Sequence, residues 1–156
     1  MMILQIPQVV LDDARSYFES AGASGCEGTG MLAGKMTSED VQTVTRFFAP
    51  DQIAAPVPGC WVEVTEKGKL QLAVSLKADE LWVARIHSHP AHAFHSPTDD
   101  ANPGLTAEGS WSIVVPFFGL GLRSGIDSCA VYRLSGTKWQ RLDGAQVQMQ
   151  VQLLES

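Results

Sequence analysis

Residues 81–100 constrain this chain more tightly than any other stretch. The run Leu81-Trp82-Val83-Ala84-Arg85-Ile86 is mostly apolar, with aromatic and β-branched members, and predicts a buried strand. It leads directly into His87-Ser88-His89-Pro90, and Ser96-Pro97-Thr98-Asp99-Asp100 follows, all within fourteen residues of His87. Side chains alternate faces along a strand, so His87 and His89 point the same way while Ser88 points back. Two imidazoles at a strand end, with a carboxylate further on, can place N, N and O donors around one cation. Three protein ligands leave a fourth position for water, which is the catalytic rather than the structural arrangement for zinc. A bare His-x-His pair is more often a surface pair or a loop element, and Pro90 adds little because proline commonly ends a strand.

A second segment upstream changes that balance. Glu27-Gly28-Thr29-Gly30-Met31-Leu32-Ala33-Gly34 places a carboxylate at the head of a run of small residues, where neighbouring backbone can approach closely. A metal hydrolase needs a general base beside the attacking water, and a carboxylate outside the coordination shell serves. Taken alone, Glu27 would be a helix-end or turn glutamate.

Together these segments resemble the JAMM (MPN-plus) metalloprotease family, whose signature is E-x-x-G-x-L-x-G, then H-[ST]-H-P, then S-x-x-D. The chain reads EGTGMLAG, HSHP and SPTD in that order, with Glu27 60 positions before His87. The resemblance covers roughly residues 3 to 140. It implies Glu27 as general base, His87 and His89 as zinc ligands, Ser96 as the hydroxyl on the oxyanion side, and an aspartate as third ligand. One departure stands out. The family usually has six residues between the proline and the serine, whereas here there are five, Ala91 to His95. Counting from His89 puts the third ligand at Asp100; counting from Ser96 puts it at Asp99. Asp99 is the preferred reading, because serine and aspartate share one local turn and a loop absorbs a deletion cheaply. Asp100 then becomes a capping carboxylate for the next segment. His92 and His95 lie in the shortened loop; the plainer reading makes them solvated loop histidines, the alternative a substrate contact or a substitute ligand.

The remaining composition narrows the field. At 156 residues the chain is read as one domain, 1–156, long enough to bury its own core. Its 45% hydrophobic and 18% charged residues fit a globular protein. Eleven basic and 17 acidic residues give a net charge of −6, which argues against a nucleic-acid partner. Cys26, Cys60 and Cys129 are odd in number and lack C-x-x-C spacing, so they are read as small buried apolar residues in a reducing cytoplasm. All four histidines fall within residues 87–95, which leaves a Cys/His protease without a motif. The opening Met1 to Ile6 is apolar but short and lacks a basic lead-in, so neither a signal peptide nor a membrane span is expected.

Along the chain, residues 8–21 have the spacing of an amphipathic helix, entered from Pro7 and closed by Gly22. Strands are expected at Met31–Met36, Val41–Phe48, Trp61–Thr65, Trp111–Pro116, Cys129–Leu134 and Lys138–Leu142, the last two joined as a hairpin through Ser135-Gly136. Ala49 to Gly59 reads as a proline-rich surface loop, Asn102-Pro103-Gly104 as a turn and Gly119–Gly125 as a glycine-rich loop. Glu66–Ala78 is ambiguous from its residues, and the resemblance tips it to helix. The tail Ala145–Leu154 alternates through Val147, Met149, Val151 and Leu153 and predicts a strand. Interleaved strands and helices imply an α/β fold, a mixed central sheet flanked by helices. The resemblance gives it the JAMM/MPN form, similar to cytidine deaminases. A deaminase itself is disfavoured, since H-x-E and P-C-x-x-C are absent.

The resemblance implies a zinc-dependent peptidase or isopeptidase that cleaves after the C-terminal glycine of a ubiquitin-like modifier. It points to the prokaryotic branch that accompanies bacterial conjugation systems, some in antiphage defence. Loops at 49–60 and 101–110 correspond to regions that hold the modifier in that family. Activity is expected to fall in acid, because only neutral imidazoles bind metal. The alternatives are a metal-free MPN scaffold that binds partners, and a DNA-repair-associated branch that the acidic balance disfavours.

Overall fold

A computed structural model describes residues 1–54, 62–95 and 105–155. Its elements in order are β1 (Ile3–Pro7), α1 (Gln8–Ala23), β2 (Thr29–Ser38), β3 (Val41–Phe48), β4 (Gln52–Ala54), β5 (Val62–Val64), α2 (Glu66–Val74), β6 (Leu81–Ser88) and β7 (Trp111–Val115). Two 3-10 stretches follow, Phe117–Ser124 and Ile126–Ser128, then β8 (Ala130–Ser135), β9 (Lys138–Arg141), α3 (Gly144–Gln150) and β10 (Val151–Leu154). Eight strands form one mixed, curled sheet in the order β10-β1-β3-β2-β6-β7-β8-β9, while β4 and β5 make a separate antiparallel ribbon. The α/β expectation holds. No described helix is long and apolar enough to cross a membrane.

Strand alternation assigns the two faces. Ile86 on β6, Ile113 and Val115 on β7 and Val131 on β8 share one face, and α1 covers it with Val10, Leu11, Ala14 and Phe18. The buried run of apolar residues along β6 and β7 follows from their central, parallel pairing, in which both faces are covered. The opposite face carries Arg85, His87, Ser112, Val114, Ala130 and Tyr132, and is polar where the first is apolar.

Four expectations need correcting. The tail is a helix followed by a strand, not one strand: Asp143 caps α3 by accepting from the Gln146 backbone N–H at 2.8 Å, and the Gln146 side chain accepts from Asp143 N–H at 2.8 Å. Within the helix Val147 is buried and Met149 exposed, and Val151 begins the strand that follows. Residues 117–124 are not an open glycine loop but 3-10 turns interrupted by a kink at Phe118 and Gly119. The proline-rich loop holds a short strand, β4, stitched to β2 through Gln52. Of the cysteines, Cys129 is buried, Cys26 is only half-buried and Cys60 lies outside the described residues. The strand β1 had no counterpart in the sequence reading; its Leu4 and Ile6 are fully buried.

Glu80, just before β6, ties β3 to the turn that follows α2. It accepts from Thr45 Oγ1 (2.6 Å), Arg46 Nη2 (3.1 Å) and Lys77 N (2.8 Å), while Arg46 lies 5.6 Å over the Trp82 ring. The Arg46 hydrogen bond, then those from Thr45 and Lys77, hold its carboxyl down at about 2, below the ordinary 4.5. The stabilisation this gives is therefore complete above pH 4.5 and is lost as the pH falls toward 2. Glu80→Gln is expected to cost about 2–3 kcal/mol at neutral pH, because Arg46 loses its partner. It should also flatten the acid limb of stability between those values. Denaturant titrations at pH 7 and pH 3 read both effects; equal losses at the two pH values would contradict the assignment.

Candidate metal centre

The site is built at the end of β6, where the strand leaves the sheet centre. His87 pairs with Thr29 of β2 on one side and with Val114 of β7 on the other. His89 lies one residue beyond the strand, yet its backbone is fixed twice: its N–H donates to Val115 O (2.8 Å), and its carbonyl accepts from Phe118 N–H (2.7 Å). Both histidines are buried. As alternation requires, their rings share a face, with centroids 5.1 Å apart.

The decisive distance is between the nitrogens. His87 Nε2 and His89 Nε2 stand 3.3 Å apart. Two nitrogens bound to one tetrahedral zinc at about 2.0–2.1 Å are separated by about 3.3–3.4 Å, the edge of that tetrahedron. The pair thus already has the spacing that a shared metal requires, and the chemistry of two imidazole nitrogens suits zinc.

Ser88 points to the other face, is fully buried, and ties this strand end to the Glu27 segment. Its N–H donates to Gly28 O at 2.9 Å, and its Oγ accepts from Gly28 N–H at 2.9 Å. The residue between the histidines thereby clamps the neighbour of Glu27. Gly28 must be glycine here, since a Cβ would meet the Phe18 ring at 2.9 Å and the Tyr17 ring at 3.0 Å. On the far side of Gly28, the Gln52 amide brackets Thr29, accepting from its N–H and donating to its carbonyl, both at 2.9 Å. Ser88→Ala leaves the Gly28 N–H buried without its acceptor and is expected to lower stability by about 1–3 kcal/mol. A chemical denaturation midpoint unchanged from wild type would show that this clamp carries no stability.

Of the residues singled out in the sequence, Glu27, His87 and His89 lie on segments that the sheet brings side by side. Ser96, Asp99 and Asp100 lie outside the described residues. Among the described residues no three His, Cys, Asp or Glu side chains group as metal ligands, so a third ligand is not supplied there. His92 is exposed, with its ring 5.9 Å from Phe117. His95 is not a solvated loop histidine: its ring stacks on Tyr132 at 3.6 Å and its Nε2 lies 2.8 Å from Ser112 Oγ. Sequence reasoning missed Gln52, Arg85, Ser112 and Tyr132. Arg85 alone left a visible mark, a cation inside an otherwise apolar strand.

No protein-family model matches the chain. Over 144 residues it is 29% identical to a protein of Sinorhizobium fredii named "Probable metalloprotease y4jG", covering 90% of this chain and 87% of that one. The solution structure of protein DSY2949 from Desulfitobacterium hafniense superposes with a TM-score of 0.65 at 14% identity, covering 99% of this chain and 94% of the other. That second likeness shows the fold alone, a mixed sheet flanked by helices, while the first ties nearly the whole length of this chain to a relative named for metal-dependent proteolysis.

Proposed function

We propose that this chain is a zinc-dependent peptidase or isopeptidase that cleaves after the C-terminal glycine of a ubiquitin-like modifier, with His87, His89 and Asp99 as ligands. The observation that carries the reading is the 3.3 Å separation of the two histidine Nε2 atoms. The name of the Sinorhizobium relative supports its coarser part, a metal-dependent peptidase. The modifier rests on the resemblance of EGTGMLAG, HSHP and SPTD to the JAMM signature.

Zinc bound there would supply Lewis acidity, which lowers the pKa of a bound water to about 7. Glu27 takes the proton from the attacking water and later delivers it to the leaving amine. It is suited to this because it stands outside the proposed ligand set and sits beside Gly28, which Ser88 holds against the histidine strand. Ser96 donates to the oxyanion, an interaction whose loss typically costs about 10²–10³-fold in rate. The burial of both imidazoles excludes bulk water from their side of the site.

Metal analysis of the purified protein tests this directly. Close to one zinc per chain is expected, and Asp99→Ala should lose it while Asp100→Ala keeps it. The reason lies in the sequence: counted from Ser96, the S-x-x-D spacing of the signature that the chain resembles reaches Asp99. If Asp100→Ala strips the metal and Asp99→Ala spares it, the ligand and Ser96 both need reassignment. A folded wild-type protein with no zinc affinity would instead favour the metal-free scaffold, with a hydrogen bond between the imidazoles accounting for their spacing.

A further inference from the structure

Beside the histidine pair, on the same face of the sheet, lies a second polar cluster that the proposed chemistry does not use. Arg85, buried and two residues before His87, donates through Nε to Ser112 Oγ at 2.9 Å. Its Nη2 reaches His95 Nε2 at 3.2 Å, and Ser112 Oγ closes the triangle at 2.8 Å from the same nitrogen. The roles are fixed by chemistry: a guanidinium only donates, so His95 Nε2 accepts and the ring proton is assigned to Nδ1. Ser112 then accepts from Arg85 and donates to His95. Tyr132 completes the enclosure, its ring stacked on His95 at 3.6 Å and 11°, and its Oη accepting from the His95 backbone N–H at 2.9 Å. Trp139 lies under the Arg85 guanidinium at 4.4 Å.

The side chain and the backbone of His95 are therefore both held. The other end of the same loop is held as well, since Phe117 N–H donates to Ala91 O at 2.9 Å and Phe118 N–H to His89 O at 2.7 Å. Phe117 and Phe118 accept left-handed backbone, φ 56° and 52°, to make those two bonds. Residues 91–95 are thus tied down at both ends.

From this we infer that His95 is a positioning residue: Arg85, Ser112 and Tyr132 form the cradle that holds its ring against that of His87, with centroids 6.4 Å apart and planes within 24°, and so fixes the direction of that imidazole toward the metal. The inference rests on the zinc reading and deepens it. Supporting groups behind metal ligands typically contribute about 10–100-fold in affinity. His95→Ala should therefore raise the zinc dissociation constant by about 10–100-fold. Tyr132→Phe, which keeps the ring and removes only the Oη acceptor, should raise it several-fold. His95→Gln, whose carbonyl can accept from Arg85 and Ser112, should recover part of the loss. Competition with a chromophoric chelator reads these constants, and unfolding of the metal-free proteins shows whether the fold itself has changed.

A purely structural role would lower the metal-free midpoint in step with affinity and would give no recovery with glutamine; that result overturns the inference. So does an affinity within twofold of wild type for both His95→Ala and Tyr132→Phe. If His95→Ala loses zinc as completely as His89→Ala while Ser112→Ala and Tyr132→Phe bind normally, His95 is itself a ligand and the positioning role is wrong. If wild type binds no zinc, the zinc reading falls and takes this inference with it; if only the variants fail to weaken binding, the zinc reading stands.

Discussion

Glu27→Gln is expected to yield a folded, zinc-loaded protein whose turnover lies at least about 100-fold below wild type, the usual loss when a positioned acid/base is removed. The amide is nearly isosteric with the carboxylate but cannot accept a proton from water at neutral pH. The backbone on either side of position 28 is held by other side chains. The Ser88 hydroxyl and backbone hold Gly28, not the Glu27 side chain, and the Gln52 amide holds Thr29. Both clamps persist in the variant. Zinc content and thermal midpoint should therefore match wild type while hydrolysis of a ubiquitin-like fusion or isopeptide substrate fails. Retention of more than about a tenth of the activity, against the 100-fold loss expected of a general base, would show that the proton is handled elsewhere. Loss of zinc together with activity would instead move Glu27 into the coordination shell.

His87→Ala and His89→Ala should each abolish zinc binding and, with it, all turnover. The two substitutions differ in what they disturb. His87 sits within paired strand, between Thr29 and Val114, so truncation there opens space inside the sheet face. His89 lies beyond the last strand residue, and its backbone bonds to Val115 and Phe118 are both kept by an alanine. His89→Ala is thus the cleaner probe. Excess zinc should raise the unfolding midpoint of wild type by mass action, about 4 kcal/mol at a thousandfold excess over the dissociation constant, and leave the variants unmoved. In wild type the same stabilisation should disappear as the pH is lowered, because protons compete with metal for imidazole nitrogens. A zinc-dependent shift in either variant equal to that of wild type would disprove the pairing.

How much of this was legible in the sequence depends on the range over which each feature is determined. The strands β2, β3, β6, β7 and β8 could be read because their apolar runs are bounded by polar or turn residues, and because a strand's burial is set by its own side chains. The direction of His87 against His89 follows from pleating alone. The tail misled because Val147, Met149, Val151 and Leu153 alternate, whereas the Asp143-x-x-Gln146 capping box starts a helix whose first two turns override that period. The strand β4 was hidden among prolines, since three residues make no pattern and its support comes from the Gln52 side chain reaching β2. The Arg85–Ser112–His95 cluster is beyond any local reading. Its members come from two parallel neighbours in the sheet and a loop, and only the register of β6 against β7 places Arg85 opposite Ser112. In the sequence the shortened loop is only a gap in a motif; its two anchored ends belong to the fold.

The order in which the sheet can be assembled follows from its edge. The first strand of the chain, β1, lies between β3 and β10, and its pairing with β10 matches Leu4 to Val151 and Pro7 to Leu154. The antiparallel neighbours β2, β3 and β6 can zip together from the early part of the chain, but the last partner of β1 is almost the entire sequence away. Closing so long a loop is entropically unfavourable until the rest of the sheet is in place, so this pairing should form late and slow the approach to the native state. During synthesis, β1 exposes a bare row of backbone donors and acceptors until Val151–Leu154 arrives. A nascent chain stalled before that point presents an open sheet edge, the surface on which chains most readily pair with one another.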